Sequence, residues 1–173
     1  MKHWKSAIAI VAAFTAFNAA EANAQVGFSV GGGLTIPTGD LGDVVKTGFN
    51  AQVGLDIAPV TLPVGFRFEG AFNQFGVDEF DNNWRILSGV ANAVLNIPSA
   101  GVTPYIIGGL GIYNQSITDS DFDSETDFGI NVGGGINVPL QGIRGIFVEA
   151  RYHNIFTEGS STSFIPITLG LRL

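Results

Sequence analysis

The chain has 173 residues, of which 46% are hydrophobic and only 13% charged, with 24 glycines, no cysteine and a net charge of −7. That length allows one ordinary domain. The absence of cysteine excludes disulfides, thiolate metal sites and thiol nucleophiles, and the few scattered Lys and Arg exclude a nucleic-acid partner.

The chain opens with a targeting pattern. Lys2 and Lys5 precede an apolar run from Ala7 to Phe17, and Ala22-Asn23-Ala24 supplies the small residues of a cleavage site. The run is shorter than the roughly 20 residues that a spanning helix needs. Residues 1–24 therefore read as a cleaved signal peptide and 25–173 as one domain beginning at Gln25.

The mature chain then alternates. A first segment, Val26 to Thr35, carries Gly31-Gly32-Gly33 but no following helical pattern, so it is not a phosphate loop. Phe49 to Ala58 is clearer: Phe49, Ala51, Val53, Leu55 and Ile57 alternate with Asn50, Gln52, Gly54 and Asp56. That period of two is the signature of a strand with one apolar face. Val64 to Asn73 repeats it, with Val64, Phe66, Phe68 and Phe72 on one face and Arg67, Glu69 and Asn73 on the other. Ile86 to Ile97 and Tyr105 to Tyr113 are weaker, the latter interrupted by Gly108, Gly109 and Gly111. Phe128 to Val138 restores clean alternation, and Ile146 to His153 and Phe164 to Leu173 complete eight segments.

Their connections alternate as well. Pro59 to Pro63, Pro98 to Pro104 and Pro139 to Gly142 are short and rich in turn formers. Ile36 to Lys46, Gln74 to Trp84, Asn114 to Asp127 and Asn154 to Ser163 read as four long polar loops, and they hold most of the acids. No mature stretch is apolar enough for a spanning helix, which leaves a closed barrel as the way to satisfy every backbone group in lipid. Segments of about 10 residues suit tilted strands crossing a bilayer, with short periplasmic turns and long outer loops. A soluble ligand-binding barrel would place its ions on the outside. Here the ion-bearing face is the sparse one, so it reads as the lumen.

The expected fold is all-β, an eight-stranded antiparallel up-and-down transmembrane β-barrel in the outer membrane. The mature chain resembles the small outer-membrane barrel domains of the OmpA and OmpX type. The resemblance is carried by the signal, by Pro104-Tyr105 with its Gly-rich run, by Phe147-Val148-Glu149-Ala150-Arg151-Tyr152, and by Ile165-Pro166-Ile167-Thr168-Leu169-Gly170-Leu171-Arg172-Leu173. Such chains typically end in an aromatic residue, whereas this one ends in Leu173. The resemblance implies fold far more than activity.

The most specific constellation is ionic. Arg67 and Glu69 share an inward phase on the third strand, Glu149 and Arg151 on the seventh, and these strands lie opposite in an eight-membered ring. An eight-stranded barrel is narrow enough for side chains to fill, so these four are expected to form a cross-lumen network blocking a continuous water path. Asp56 and Arg172 are expected to form a smaller pair near the periplasmic end. His153 has inward phase near Ser160, Ser161 and Ser163, but nothing in their spacing holds a hydroxyl against the imidazole, and no catalytic residue is assigned.

Asp121, Asp123 and Glu125 put oxygens at alternate positions but lack the glycine turn of a calcium loop; they are weak metal candidates at best. No cofactor is expected. Phe49, Phe66, Phe72, Trp84, Tyr105, Phe128 and Tyr152 read as interfacial aromatic girdles, and Lys46 and Arg85 as rim cations meeting lipid phosphates. Expected partners are outer-membrane lipids and lipopolysaccharide, the barrel-assembly machinery and an unidentified extracellular ligand, with the protein a monomer. The leading functional reading is a non-enzymatic barrel acting in envelope structure or surface interaction; the alternatives are a narrow channel or conduit for small hydrophobic molecules, and a lipid-modifying enzyme.

Overall fold

The computed structural model describes residues 24–43, 45–59, 64–76, 83–117, 124–157 and 160–173. Eight strands follow in chain order: β1 (Ala24–Thr38), β2 (Gly48–Pro59), β3 (Val64–Gly76), β4 (Asn83–Asn96), β5 (Thr103–Ile117), β6 (Glu125–Leu140), β7 (Ile143–Thr157) and β8 (Ser160–Arg172). Each pairs antiparallel with its neighbours in sequence, and β1 pairs with β8, so the sheet closes. A 3-10 turn, Gly39–Asp43, sits between β1 and β2. The signal segment falls outside the described residues apart from Ala24.

Alternation in sequence becomes alternation in exposure. On β4, Ile86, Ser88, Val90, Asn92 and Val94 are buried while Leu87, Gly89, Ala91, Ala93 and Leu95 face out. Phe28, Val53, Phe68, Leu87, Ile112, Val132 and Leu169 are each more than half exposed. Such a continuous apolar exterior would drive association in water; in hydrocarbon it is the required surface.

Strand lengths differ from the sequence reading. The strands run beyond the apolar segments into residues read as loops, so that Gln74, Asn114, Asp127 and Asn154 lie within ladders. The fourth long loop is not one: positions 158 and 159 alone separate β7 from β8, whose ladder reaches Thr157↔Ser160. Polar residues that looked like loop are strand extended past the apolar band, because pairing continues at no desolvation cost where water begins. At the opposite end, the β6–β7 connection is the pair Gln141-Gly142, with Gly142 at φ 88° where a side chain would be strained.

One packing detail ties the closure seam to the interior. Gly31 on β1 and Gly170 on β8 pair across the seam. A Cβ at Gly170 would lie 2.4 Å from the Phe147 ring and one at Gly31 3.1 Å from it. These two bare positions make the socket for a fully buried Phe147. Pro166, without an N–H to give, coincides with the one gap in the β7–β8 ladder, between Ala150↔Ile167 and His153↔Phe164. Replacing Gly170 with Val is expected to eject Phe147 and cost about 3–5 kcal/mol, comparable to deleting a buried Phe. Cold-refolded protein should then lose its fast-migrating band on unboiled gels, and a wild-type mobility and urea midpoint would refute the socket.

Candidate functional site

The lumen is the candidate site, and it is layered. At mid-height Arg67 is the hub: its Nε donates to Asp56 Oδ1 at 2.8 Å and its Nη1 to Glu149 Oε2 at 2.8 Å. Arg67 Nη1 also lies 3.9 Å from Glu69. Arg151 closes the ring from the other wall, donating to Glu69, with Nε 2.9 Å from Glu149 Oε1 and Nη2 3.0 Å from Gln52 Oε1. Tyr105 adds a hydroxyl donor to Glu149 Oε2 at 2.7 Å. All four predicted residues are thus brought together, and each has at most 5% of its surface exposed.

Alternation on β3 and β7 puts each Arg and Glu on the same face two residues apart, and closure brings those faces together. Amides surround the charges: Asn131 donates to Asn92 Oδ1 at 2.9 Å, and Thr168 to Asn50 Oδ1 at 2.9 Å. Two buried guanidinium groups would be prohibitive alone; three carboxylates and these dipoles make the belt tolerable.

Asp56 departs from expectation. It is held by Arg67 rather than by Arg172. Arg172 instead lies over the rings of Tyr105 and Phe147, at 4.6 and 5.5 Å from their centroids. Tyr105 and Trp84 also leave the predicted girdle: both sit on inward phase, Tyr105 under the belt and Trp84 packed against the outer cluster. Phe49, Phe66, Phe128 and Tyr152 do face outward, and the Phe49 and Phe72 rings touch at 6.0 Å.

Above the belt lies a layer that the sequence did not reveal. Leu41 and Val45, from the connection after β1, pack with Phe75, Ile86, Val90, Tyr113, Ile155 and Phe164 in one buried cluster. Two backbone bonds fix the connection there, Val45 N to Leu41 O at 3.1 Å and Lys46 N to Gly76 O at 2.8 Å. Its signal was available: Leu41, Val44 and Val45 are apolar residues within an otherwise polar connection.

His153 belongs to this layer's floor. Its Nδ1 shares a 3.0 Å hydrogen bond with the Tyr113 hydroxyl, and its ring stacks on Phe164 at 4.9 Å. Ser163, the buried serine nearest in register, accepts from Tyr152 at 2.9 Å. Arg85 is outward at the rim, donating to Gln74 at 3.2 Å, and Lys46 is exposed. Glu125 is an exposed residue of β6, whereas Asp121 and Asp123 lie outside the described residues.

Removing the hub tests the belt. Arg67→Ala leaves Asp56 without its cation and Glu149 with one fewer, and should cost about 3–5 kcal/mol as for a buried pair broken from one side. The urea midpoint in detergent should fall accordingly, and an unaltered midpoint would mean the four residues are not energetically coupled.

Among solved structures, the fold is similar to Neisserial surface protein A, at 14% identity and TM-score 0.72 over 87% of this chain and 97% of that one. It is also similar to Ail, the attachment invasion locus protein of Yersinia pestis, at 17% identity and TM-score 0.52 over 87% and 99%. The outer membrane enzyme PagL matches at 15% identity and TM-score 0.53 over 86% and 99%. At such identities the likeness is one of fold. Among curated proteins, none matches by sequence. The model of the outer membrane protein beta-barrel domain matches residues 6–172, and with a closed ring of eight antiparallel strands this chain belongs to that family of outer-membrane barrels.

Proposed function

We propose that the protein is a non-enzymatic barrel with a sealed lumen, exported by removal of residues 1–24, that presents acidic external connections to partners at the cell surface. The observation that carries this reading is the filling of the interior from the outer cluster through the belt. An apolar cap containing Leu41 and Val45 lies over an ionic belt, which lies over Tyr105, Phe147 and Arg172. Solvated ions crossing such a path would have to dehydrate against the cap and break the belt, each step costing several kcal/mol. The wall is thus a rigid mount, and its accessible chemistry lies outside.

That chemistry is acidic. Asp40, Asp78, Glu79, Asp81, Asp119, Asp121, Asp123, Glu125, Asp127 and Glu158 all fall between or at the outer ends of strands. The Ail barrel is known in complex with a heparin analogue, sucrose octasulfate. The surface of this chain has the opposite electrostatic preference, for basic protein segments or for lipid phosphates bridged through divalent cations.

An enzymatic reading draws on PagL, an enzyme on the same fold. His153 gives it little support, since its ring is engaged by Tyr113 and Phe164 and Ser163 by Tyr152. Nucleophilic catalysis needs a base within hydrogen-bond reach of a positioned hydroxyl.

In planar bilayers the protein should show no steady unitary current, while a Leu41→Asp, Val45→Asp variant should admit water through the cap and raise conductance. Steady wild-type currents abolished by changing Glu69 or Glu149 would establish a channel instead. On folded protein in detergent, polylysine should bind in a salt-sensitive manner and heparin should not; the reverse order would remove the electrostatic basis of the reading.

A further inference from the structure

The periplasmic mouth of the lumen contains a cavity of about 320 Å³ that the belt does not use, lined among others by Gln25, Asp56, Asn96, Asn137, Arg144 and Arg172. It has the volume of about ten waters. We propose that this cavity is a binding site for a carboxylate or phosphate group, with Arg172 as the principal donor and Arg144 as a second cation at the rim.

Arg172 is the central observation. The rings of Tyr105 and Phe147 lie against its guanidinium at 4.6 and 5.5 Å. Because a guanidinium's N–H groups lie in its plane, ring contact holds the group in place without satisfying its donors. Its Nε and one Nη are buried and have no hydrogen-bond partner. Asp56 on the same cavity gives Oδ1 to Arg67, and its Oδ2, also without a hydrogen-bond partner, makes no bond to Arg172. The result is a guanidinium fork, oriented by aromatic rings, on the wall of a cavity lined by Phe28, Ile57, Phe66 and Val94 as well as by these polar groups. That is the geometry that grips a planar carboxylate or a phosphate edge.

The rim is prepared in the same sense. A Cβ on Gly27 would lie 2.8 Å from Arg144 Nη1, so the bare glycine gives that side chain room to turn across the mouth. Its Nη2 is anchored on the Val26 carbonyl at 2.8 Å. Asn137 contributes a further buried oxygen without a partner, and a flip of its amide presents a donor instead.

The charges around the mouth define what a guest would meet. Among side chains from the belt to this mouth, Arg67, Arg144, Arg151 and Arg172 face Asp56, Glu69 and Glu149, and the Leu173 oxygen also lies at the mouth, 3.0 Å from a Cβ built on Gly27 as Arg144 is at 2.8 Å. Asp56 opposes the guest directly because it lines the cavity, which makes the site weak as well as selective, suited to a group held at high local concentration. With the short turns on the periplasmic side, as the outer-membrane reading places them, two sources offer such groups: peptide carboxylates of the periplasm and phosphates of inner-leaflet lipids.

The test uses the folded chain in zwitterionic detergent, observed through the Arg172 Nε–Hε and Asn137 amide resonances. Three probes are titrated: inorganic phosphate, the dipeptide Ala-Ala with a free carboxylate, and dihexanoyl phosphatidic acid. Saturable shifts are expected with at least one, preference for the dipeptide identifying the carboxylate source and preference for the phosphatidic acid the lipid source. Arg172→Gln should weaken binding by about tenfold, the scale of one lost charge-assisted contact, and Asp56→Asn should tighten it. Arg85→Gln, at the far rim, should change nothing. Each variant is first shown to retain the fast-migrating folded gel band. No saturable shift with any probe, or affinity that survives Arg172→Gln in folded protein, overturns the site. Neither result depends on whether the barrel conducts, so the outcome is separate from that of the sealed-lumen reading.

Discussion

Backbone pairing in hydrocarbon is the constraint from which the rest of this structure follows. A strand edge left open to lipid would strand its N–H and C=O groups without water, at several kcal/mol each. The pairing of β1 with β8 removes both edges at once. Closing the ring with eight strands fixes a bore narrow enough for side chains to fill. Side chains that occupy so narrow a bore must then fit and pair chiefly with one another.

The interior meets that demand by layering two different solutions. The belt places charges in a low-dielectric space and balances them at hydrogen-bonding distance, with Arg67 and Arg151 sharing Glu149 between them. The outer cluster avoids polar groups almost entirely and takes two of its members from the first connection. An ionic layer is directional and fixes which strand faces which; an apolar layer is tolerant and excludes water. Stacked, they specify the ring more tightly than either would alone.

How much of this could be read from sequence follows from contrast. Arg67, Glu69, Glu149 and Arg151 were legible because a charge at alternate positions of an apolar strand has few places to go. Asp56 and Arg172 were legible as inward residues but not as a pair, since the choice between Arg67 and Arg172 depends on distances across the ring. Tyr105, Phe147 and Phe164 were not legible, because an apolar residue facing the lumen has the same chemistry as one facing lipid. The weak alternation of Tyr105 to Tyr113 has this cause: Tyr105, Ile107 and Tyr113 point in while Ile106, Leu110 and Ile112 point out. Strand ends were misjudged for a related reason. Composition marks where the membrane stops, whereas β7 and β8 continue pairing to Thr157 and Ser160.

The seating of Phe147 against Gly31 and Gly170 has a consequence in time rather than in geometry. Its ring comes from β7, but its socket is shared by the first strand and the last, so the socket exists only after the ends of the chain have met. Zipping the seam and burying the aromatic ring become a single event. To reopen, the barrel must lose ladder bonds and ring contacts together, and contacts made after the rate-limiting step act chiefly to slow unfolding. A barrel whose seam zips last is held closed by the slowness of its reopening as well as by its equilibrium stability.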